Sequence, residues 1–402
     1  MFAGIDIASE RHVLARLDSG GRPIGRPIAF TEDQAGYARL AEALGPPPVL
    51  VAMEATGHYW KNLFAVLTAA GHEVVLLNPF TARRFQDASL ERTKTDAVSP
   101  KANLRFDIDA EGLARLAFEK RPAPTRLHDA ATESLRELVR HRDQLRQDFD
   151  DRVRQLHRLI DLGFPEFTRY VRSLDSMLAT ALIAEYPTAQ AFARANARRL
   201  ARLRYDGCHF VGPERADQLV AAAKRSVGQH HGSVYAMQAR HLCQDLDLWR
   251  RRLSEIDRDI EGLLEAHEVG KLLLSIDGLG PQSVARIIAA VGDPARFRSA
   301  SAFAAYVGVV PGLRQSGKQS GRIRAPIAPM GNARLRKALW MPVLGAIRRN
   351  PWPRAFYERL RAVGKPAKLA LIAALRKLLH AVYSVAKNRR PFVIETDLAR
   401  VA

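Results

Sequence analysis

Cysteine is nearly missing from this chain. Only Cys208 and Cys243 occur in 402 residues, far apart. That excludes a disulfide framework and a zinc knuckle and leaves reduced, partly buried thiols of a cytosolic protein as the expectation. Long apolar runs are missing too. No eighteen consecutive apolar residues occur, so no membrane span is expected. The opening MFAGIDIASE has no basic stretch leading into an apolar one, so no signal peptide is expected. Acid is scarce in one region. From Arg286 onward there are 23 Lys and Arg against 4 Asp and Glu, a balance of +19 within a chain total of +20. Charge this one-sided points to a polyanionic partner, DNA or RNA phosphate, rather than to a merely solvated face.

Hydrophobic residues make up 47% of the chain and charged residues 26%, an ordinary globular balance with length enough for two or three domains. Residues 1–120 alternate strand and helix signals. FAGIDIA, RHVLARLD, RPIAF, VLVAMEA and HEVVLLNP read as strands, with GYARLAEAL and KNLFAVLTAAG as helices between them. This order predicts a mixed sheet flanked by helices.

Residues 121–268 change character. Leu242, Leu246, Trp249, Leu253, Ile256, Ile260 and Leu263 step by fours and threes without a miss. A fainter copy runs through Ala131, Leu135, Leu138, Leu145, Phe149, Leu156 and Leu159, with Arg142 and Arg152 in its seam. The pattern predicts two long coiled-coil helices, paired with each other or with another subunit. Residues 269–402 form a basic, mainly helical segment. There, Gly278-Leu279-Gly280-Pro281 resembles the hairpin of a helix-hairpin-helix unit, whose backbone N–H groups can hold a phosphate.

Three acids of the first segment carry the chemistry. Asp6 lies mid-strand among apolar neighbours, Glu54 ends a second apolar strand, and Asp96 precedes the helix that would close the domain. A buried strand carboxylate must be paired or metal-bound. Acids on neighbouring strands about 4.8 Å apart, with a third from an abutting helix, can share one divalent ion. Oxygen-only ligation suits Mg²⁺, one ion or two, as in phosphodiester cleavage. Taken singly, any of the three caps a strand or pairs with an arginine.

GIDIA, AMEATGHYW and RTKTDA resemble the blocks of the RuvC-like (RNase H-fold) domain of bacterial insertion-sequence transposases, the DEDD transposases. This group includes pilin-gene invertases and bridge-RNA-guided recombinases. The stretches IDGLGPQSVARIIAAVGDPARFRSASAFAAYVGVVPGLRQSG, MGNARLRKALW and YERLRAVGKPAKLALIAALRKLL resemble its second domain. The resemblance covers residues 1–110 and 270–390, and the helices between fit the family's linker. It implies an α/β RuvC-like N-terminal domain, coiled-coil helices and a mainly α C-terminal domain.

The family's four carboxylates fall on Asp6, Glu54, Asp96 and position 99. The fourth departs from the pattern. Where the family has TDxxD this chain has Thr95-Asp96-Ala97-Val98-Ser99. A serine followed by Pro100 is a favoured helix start. Asp107 and Asp109 are poor substitutes, since Asp107 alone is about 16 Å of helix from Asp96. A hydroxyl, Asn103 or water would fill the gap, with weaker metal binding, or an inactive enzyme, as the outcome.

The resemblance also implies a serine nucleophile in a proline-led loop, here Ser316, with Ser320 as its near-repeat. Arg314, Lys318, Arg322 and Arg324 flank it and can offset phosphate charge. Serine is weak at its free pKa, and no His or acid lies nearby in sequence, so the carboxylate site would activate it. Asn332, Arg334, Arg336 and Lys337 start a further helix that either tracks phosphates or presents a solvated basic face. Trp340, Trp352 and Tyr357 read as core, or as stacking platforms on nucleic acid.

These readings lead to a DNA recombinase acting on donor and target duplexes, in the cytoplasm and at the nucleoid, as a dimer or tetramer through the long helices. The RNA-guided branch of the family implies a noncoding guide RNA as partner. A metal-dependent junction nuclease using water, and a weakened nucleic-acid-binding relative, are the alternatives.

Overall fold

Each of the five stretches read as strands holds a strand. A computed structural model describes residues 1–55, 57–78, 104–310 and 331–393, except the side chains of 104–109. It comprises two units, Met1–Leu127 and His128–Ala402.

The first unit holds β1 (Phe2–Asp6), β2 (Arg11–Leu17), β3 (Ile28–Thr31), β4 (Leu50–Glu54) and β5 (Glu73–Leu77), with α1 (Gln34–Leu44), α2 (Trp60–Ala69) and α3 (Leu104–Lys120). The strands form one mixed sheet in the order β3-β2-β1-β4-β5. β2 is antiparallel to β1 and β3, whereas β1, β4 and β5 run parallel. Alternation sorts the side chains. Ile5, Leu14, Val51 and Met53 pack with Leu40, Leu44, Leu63 and Phe64 of α1 and α2. Val13, Ala15 and Ala52 face the opposite way and pack with Ala110, Leu113 and Ala114 of α3.

Local chemistry sets the helix ends. Asp33 caps α1, its carboxylate accepting from the Gly36 N–H at 2.7 Å, so this helix begins two residues ahead of the GYARLAEAL pattern. Gly4 lets α3 lie on the sheet. A Cβ there would stand 2.2 Å from the Ala110 carbonyl oxygen and 2.3 Å from the Ala114 nitrogen.

In the second unit, α4 (Ala130–Gly163) is followed by five short helices: α5 (Phe167–Tyr170), α6 (Met177–Glu185), α7 (Ala189–Ala193), α8 (Ala197–Ala201) and α9 (Pro213–Lys224). Then come α10 (Ser233–Ala266), α11 (Glu268–Leu273), α12 (Pro281–Val291) and α13 (Ala300–Val307). After them come α14 (Ala333–Ala338), α15 (Trp340–Arg349), α16 (Pro351–Ala362) and α17 (Ala367–Asn388). The two long helices pair with each other, antiparallel, within the chain. Arg142 meets Asp257 and, two turns and more along, Arg152 meets Asp245. Leu135, Leu145, Phe149, Leu156, Leu246, Leu253, Ile256 and Ile260 are buried as the period requires, each side chain adding about 1.5–3 kcal/mol of apolar transfer. Ala131 is exposed and its neighbour Thr132 takes the buried position, because Thr132 is held by Asp129 and His267.

One hydrophobic core runs from Leu135 on α4 to Ala386 on α17. Trp340, Trp352 and Tyr357 pack against it half-buried. By length and composition α17 could cross a membrane, Arg376 and Lys377 being the two charges in its apolar stretch; 56% of that stretch is buried. Its Ala370, Ala374, Leu378 and Val382 face are core positions. Cys243 is buried as expected, but Cys208 is exposed on a turn.

Candidate catalytic carboxylate site

Asp6 and Glu54 end adjacent parallel strands. The register pairs Ile5 with Met53, so the next step sets Asp6 beside Glu54. The expectation that Asp6 sits mid-strand is corrected, since β1 stops at Asp6 and the residue is half-buried, as is Glu54. The chain turns away there, which lets a strand carboxylate keep access to solvent.

Both side chains lie on the face that α3 covers, two residues beyond Gly4 and Ala52 respectively. α3 runs antiparallel to β1, with Phe118 against Phe2 at 5.4 Å and Ala110 against Gly4. Its N-terminal end therefore points toward the end of the sheet that carries the two acids. Asp96, Ser99 and Asn103 lie outside the described residues, in the segment leading into that end. Asp107 and Asp109 belong to the first two turns of α3.

Sequence reasoning missed the support under the end of β1. His12 is fully buried and accepts from the Ala8 N–H at Nδ1, 3.3 Å, two residues past Asp6. Its Nε2 therefore carries the proton and donates to Glu32 at 2.6 Å. Tyr37 and Asn62 donate to the other oxygen of Glu32, at 2.7 and 3.1 Å. Burial alone would raise the Glu32 pKa, but these donors outweigh it and hold the carboxylate below its usual range. Nothing in the pattern of β2 marks His12, since alternation registers burial and not partners.

In the second unit Gly278 has φ +100°, and a Cβ there would meet the Ala346 Cα at 2.4 Å. The turn is tied down further by Asn350, fully buried, which donates to the Asp277 carbonyl at 3.4 Å. Gly280 then precedes α12 in extended conformation, with open space around it. Asn332 caps α14, accepting from the Leu335 N–H at 3.0 Å. Arg336 turns inward, donating to the carbonyls of Val307 and Gly308 at 3.3 Å each, whereas Arg334 and Lys337 are exposed. Ser316, Ser320, Arg314, Lys318, Arg322 and Arg324 lie outside the described residues. The flanks of their segment meet: the Asn332 N–H donates to the Tyr306 carbonyl at 2.7 Å, and Gly331, at φ +99°, abuts Gly308.

A turn at Asp206, Cys208 and His209 gathers three ligand types within 4.8 Å. Its geometry is that of an Asx turn, with Asp206 accepting from the N–H groups of Cys208 and His209 and from the His209 ring.

Comparison with known families decides the identity. The DEDD transposase model of IS110 matches residues 3–165, and that of the transposase IS116/IS110/IS902 family matches residues 270–358. The chain belongs to the IS110 family of transposases. An insertion element IS116 protein of 44.8 kDa from Streptomyces clavuligerus is 26% identical, over 100% of this chain and 98% of its own length. The putative transposase of the IS117 mini-circle of Streptomyces coelicolor is 28% identical, over 98% and 95%. A pilin gene-inverting protein of Moraxella bovis is 34% identical over 36% of this chain and 46% of its own length. As an IS110-family transposase the chain carries DNA recombinase activity in the general sense, and the acid pair of its first unit lies within the first matched region.

Proposed function

We propose that this transposase cuts and rejoins DNA strands through Ser316, assisted by a carboxylate set of Asp6, Glu54 and Asp96, on donor and target sites chosen by an element-encoded guide RNA. The observation that carries the reading is the side-by-side placing of Asp6 and Glu54 at the ends of β1 and β4. The strand order β3-β2-β1-β4-β5, with one antiparallel hairpin pair beside three parallel strands, supports an RNase H-like (RuvC-like) domain. Residues 1–120 would supply the acids, 121–268 the paired long helices, whose outer faces would meet the other subunits of a dimer or tetramer, and 269–402 the serine and the basic surface.

Two half-exposed carboxylates at neighbouring register positions form a hard oxygen donor set, which fits Mg²⁺. Bound there with Asp96, one or two ions would offset charge on a phosphate undergoing displacement. In the reaction proper, the Ser316 oxygen forms a bond to phosphorus while a DNA hydroxyl leaves. Attack by a hydroxyl of the partner strand then frees the serine. Since serine is weak at its free pKa, the carboxylate set is assigned the removal of its proton. Arg314, Lys318, Arg322 and Arg324, with Gly278, Gly280, Asn332, Arg334 and Lys337, would contact phosphates, while Arg336, expected to join them, is turned onto the Val307 and Gly308 carbonyls instead. With sequence choice left to the RNA, such contacts position rather than read.

Two other readings stand beside it: a junction nuclease that uses water, which the RuvC-like half alone would suggest, and a weakened nucleic-acid-binding relative, which Ser99 favours because it replaces an expected carboxylate. The test is to trap a covalent protein–DNA adduct in the presence of flanking RNA and locate the modified residue by mass spectrometry. An adduct on Ser316 that Ser316→Ala removes, together with strand exchange, supports recombination. Cleavage that persists in Ser316→Ala, with DNA on no serine, overturns it.

A further inference from the structure

One row of residues crosses four strands of the first unit on the face covered by α3. Glu54 stands next to Asp6; Asp6 pairs with Val13, and Val13 with Ala29. Beyond the acids this row runs into a cleft of about 570 Å³, lined by Ser9, Glu10, Arg11, Arg26 and Arg39 together with Val13 and Ala29. The cleft thus begins at the loop that follows Asp6 and extends toward the edge strand β3.

Its charge is lopsided. Arg11 comes from the start of β2, Arg26 from the turn before β3 and Arg39 from α1, and all three are exposed. Among the described residues none of the three forms an ion pair, although Glu10 lines the same cleft. Other arginines of the chain do pair, as Arg142 with Asp257 and Arg286 with Asp143 do. Three guanidinium groups around one cavity repel each other, and an anion with several acceptor oxygens relieves that. A guanidinium fork matches phosphate oxygens in geometry as well as charge.

We propose that this arginine cleft holds phosphates of the DNA strand flanking the bond to be cut. The proposal rests on the reading of Asp6 and Glu54 as the cutting site. Two strand spacings separate Asp6 from Ala29, about 10 Å. A strand running along the row meets its next phosphate or two within that distance. A strand seated on the acids and following the row would place its next phosphates among the arginines. Because contacts of this kind go to the backbone, they hold the strand in register without reading sequence.

The test uses the full chain in EDTA, where binding is read without cleavage. Affinity for DNA fragments of several sequences is measured by fluorescence anisotropy across a salt series. Combined Arg11→Ala, Arg26→Ala and Arg39→Ala is expected to weaken every fragment about 10- to 100-fold at low salt. The salt slope should fall by about 2 to 3. The corresponding lysine triple should keep the slope, and Glu10→Gln should tighten binding. An unchanged slope in the alanine triple overturns the proposal, as does a loss seen on RNA of the same sequences and not on DNA. Asp6→Asn separates this from the catalytic reading. If it abolishes cleavage while the alanine triple leaves the slope intact, the cleft alone fails. If it spares cleavage while the triple lowers the slope, the carboxylate reading fails.

Discussion

Arg142 of α4 grips Asp257 of α10 with two donors, Nε at 2.5 Å from Oδ1 and Nη2 at 3.2 Å from Oδ2. Gln282 of α12 donates to the same Oδ1 at 2.5 Å. One carboxylate therefore joins three helices, and the arginine that interrupts the apolar seam of α4 is its partner. Arg152, the other interruption, lies 3.1 Å from Asp245 as an ion pair without a hydrogen bond, its guanidinium over the Trp249 ring at 5.6 Å.

Asp257→Ala should destabilise the second unit by about 1–3 kcal/mol, because it leaves a half-buried guanidinium and an amide without their acceptor. Urea unfolding followed by circular dichroism measures this. Arg142→Met should cost less on the Asp257→Ala background than on the parent chain, since the pair is coupled. Equal costs on both backgrounds would show that the two side chains act independently.

Gly4→Ala should cost about 2–3 kcal/mol, since the backbone of α3 occupies the space its Cβ needs. Thermal unfolding checks it. Because the same displacement moves α3 off the face carrying Asp6, DNA cleavage should fall in parallel. Full activity at reduced stability would separate the two.

Acid should destabilise the first unit through Glu32. Its folded pKa is depressed below the ordinary value of 4.5, so the folded state binds the proton less tightly than the unfolded chain. The stabilisation is present above pH 4.5 and is lost as pH falls through the folded value. Glu32→Gln should flatten that part of the stability profile. Denaturant midpoints between pH 3 and 6, compared for the two proteins, decide it.

Ser99→Asp restores the expected TDxxD pattern. It should reduce severalfold the Mg²⁺ concentration needed for half-maximal cleavage, with little change in DNA affinity measured in EDTA. An unchanged metal requirement would mean that position 99 is only a helix cap.

Much of this was legible beforehand. All five strands of the first unit lie where strands are expected, β2 from its alternation and β1 and β4 from short apolar runs, since a strand covered on both faces is apolar throughout. The seam of α10 is buried at Leu246, Leu253, Ile256 and Ile260 because a helix has a repeating period. Asp6 and Glu54 were legible as acids in apolar company. His12 was not: its role depends on Glu32, twenty residues away and brought across from β3 to β2 by strand pairing. The inward turn of Arg336 was equally hidden, because its acceptors are backbone carbonyls that every residue carries.

By itself the sequence determined the elements, the family and the concentration of positive charge, for these rest on local period, local motif and composition. Only the tertiary structure decided what stands beside what. It paired the two long helices within one chain, ended β1 at Asp6 and aligned Glu54, Asp6, Val13 and Ala29 in one row running to the arginine cleft. Register and helix pairing arise from burying apolar faces against each other, and that energy belongs to pairs of elements rather than to any one stretch of chain.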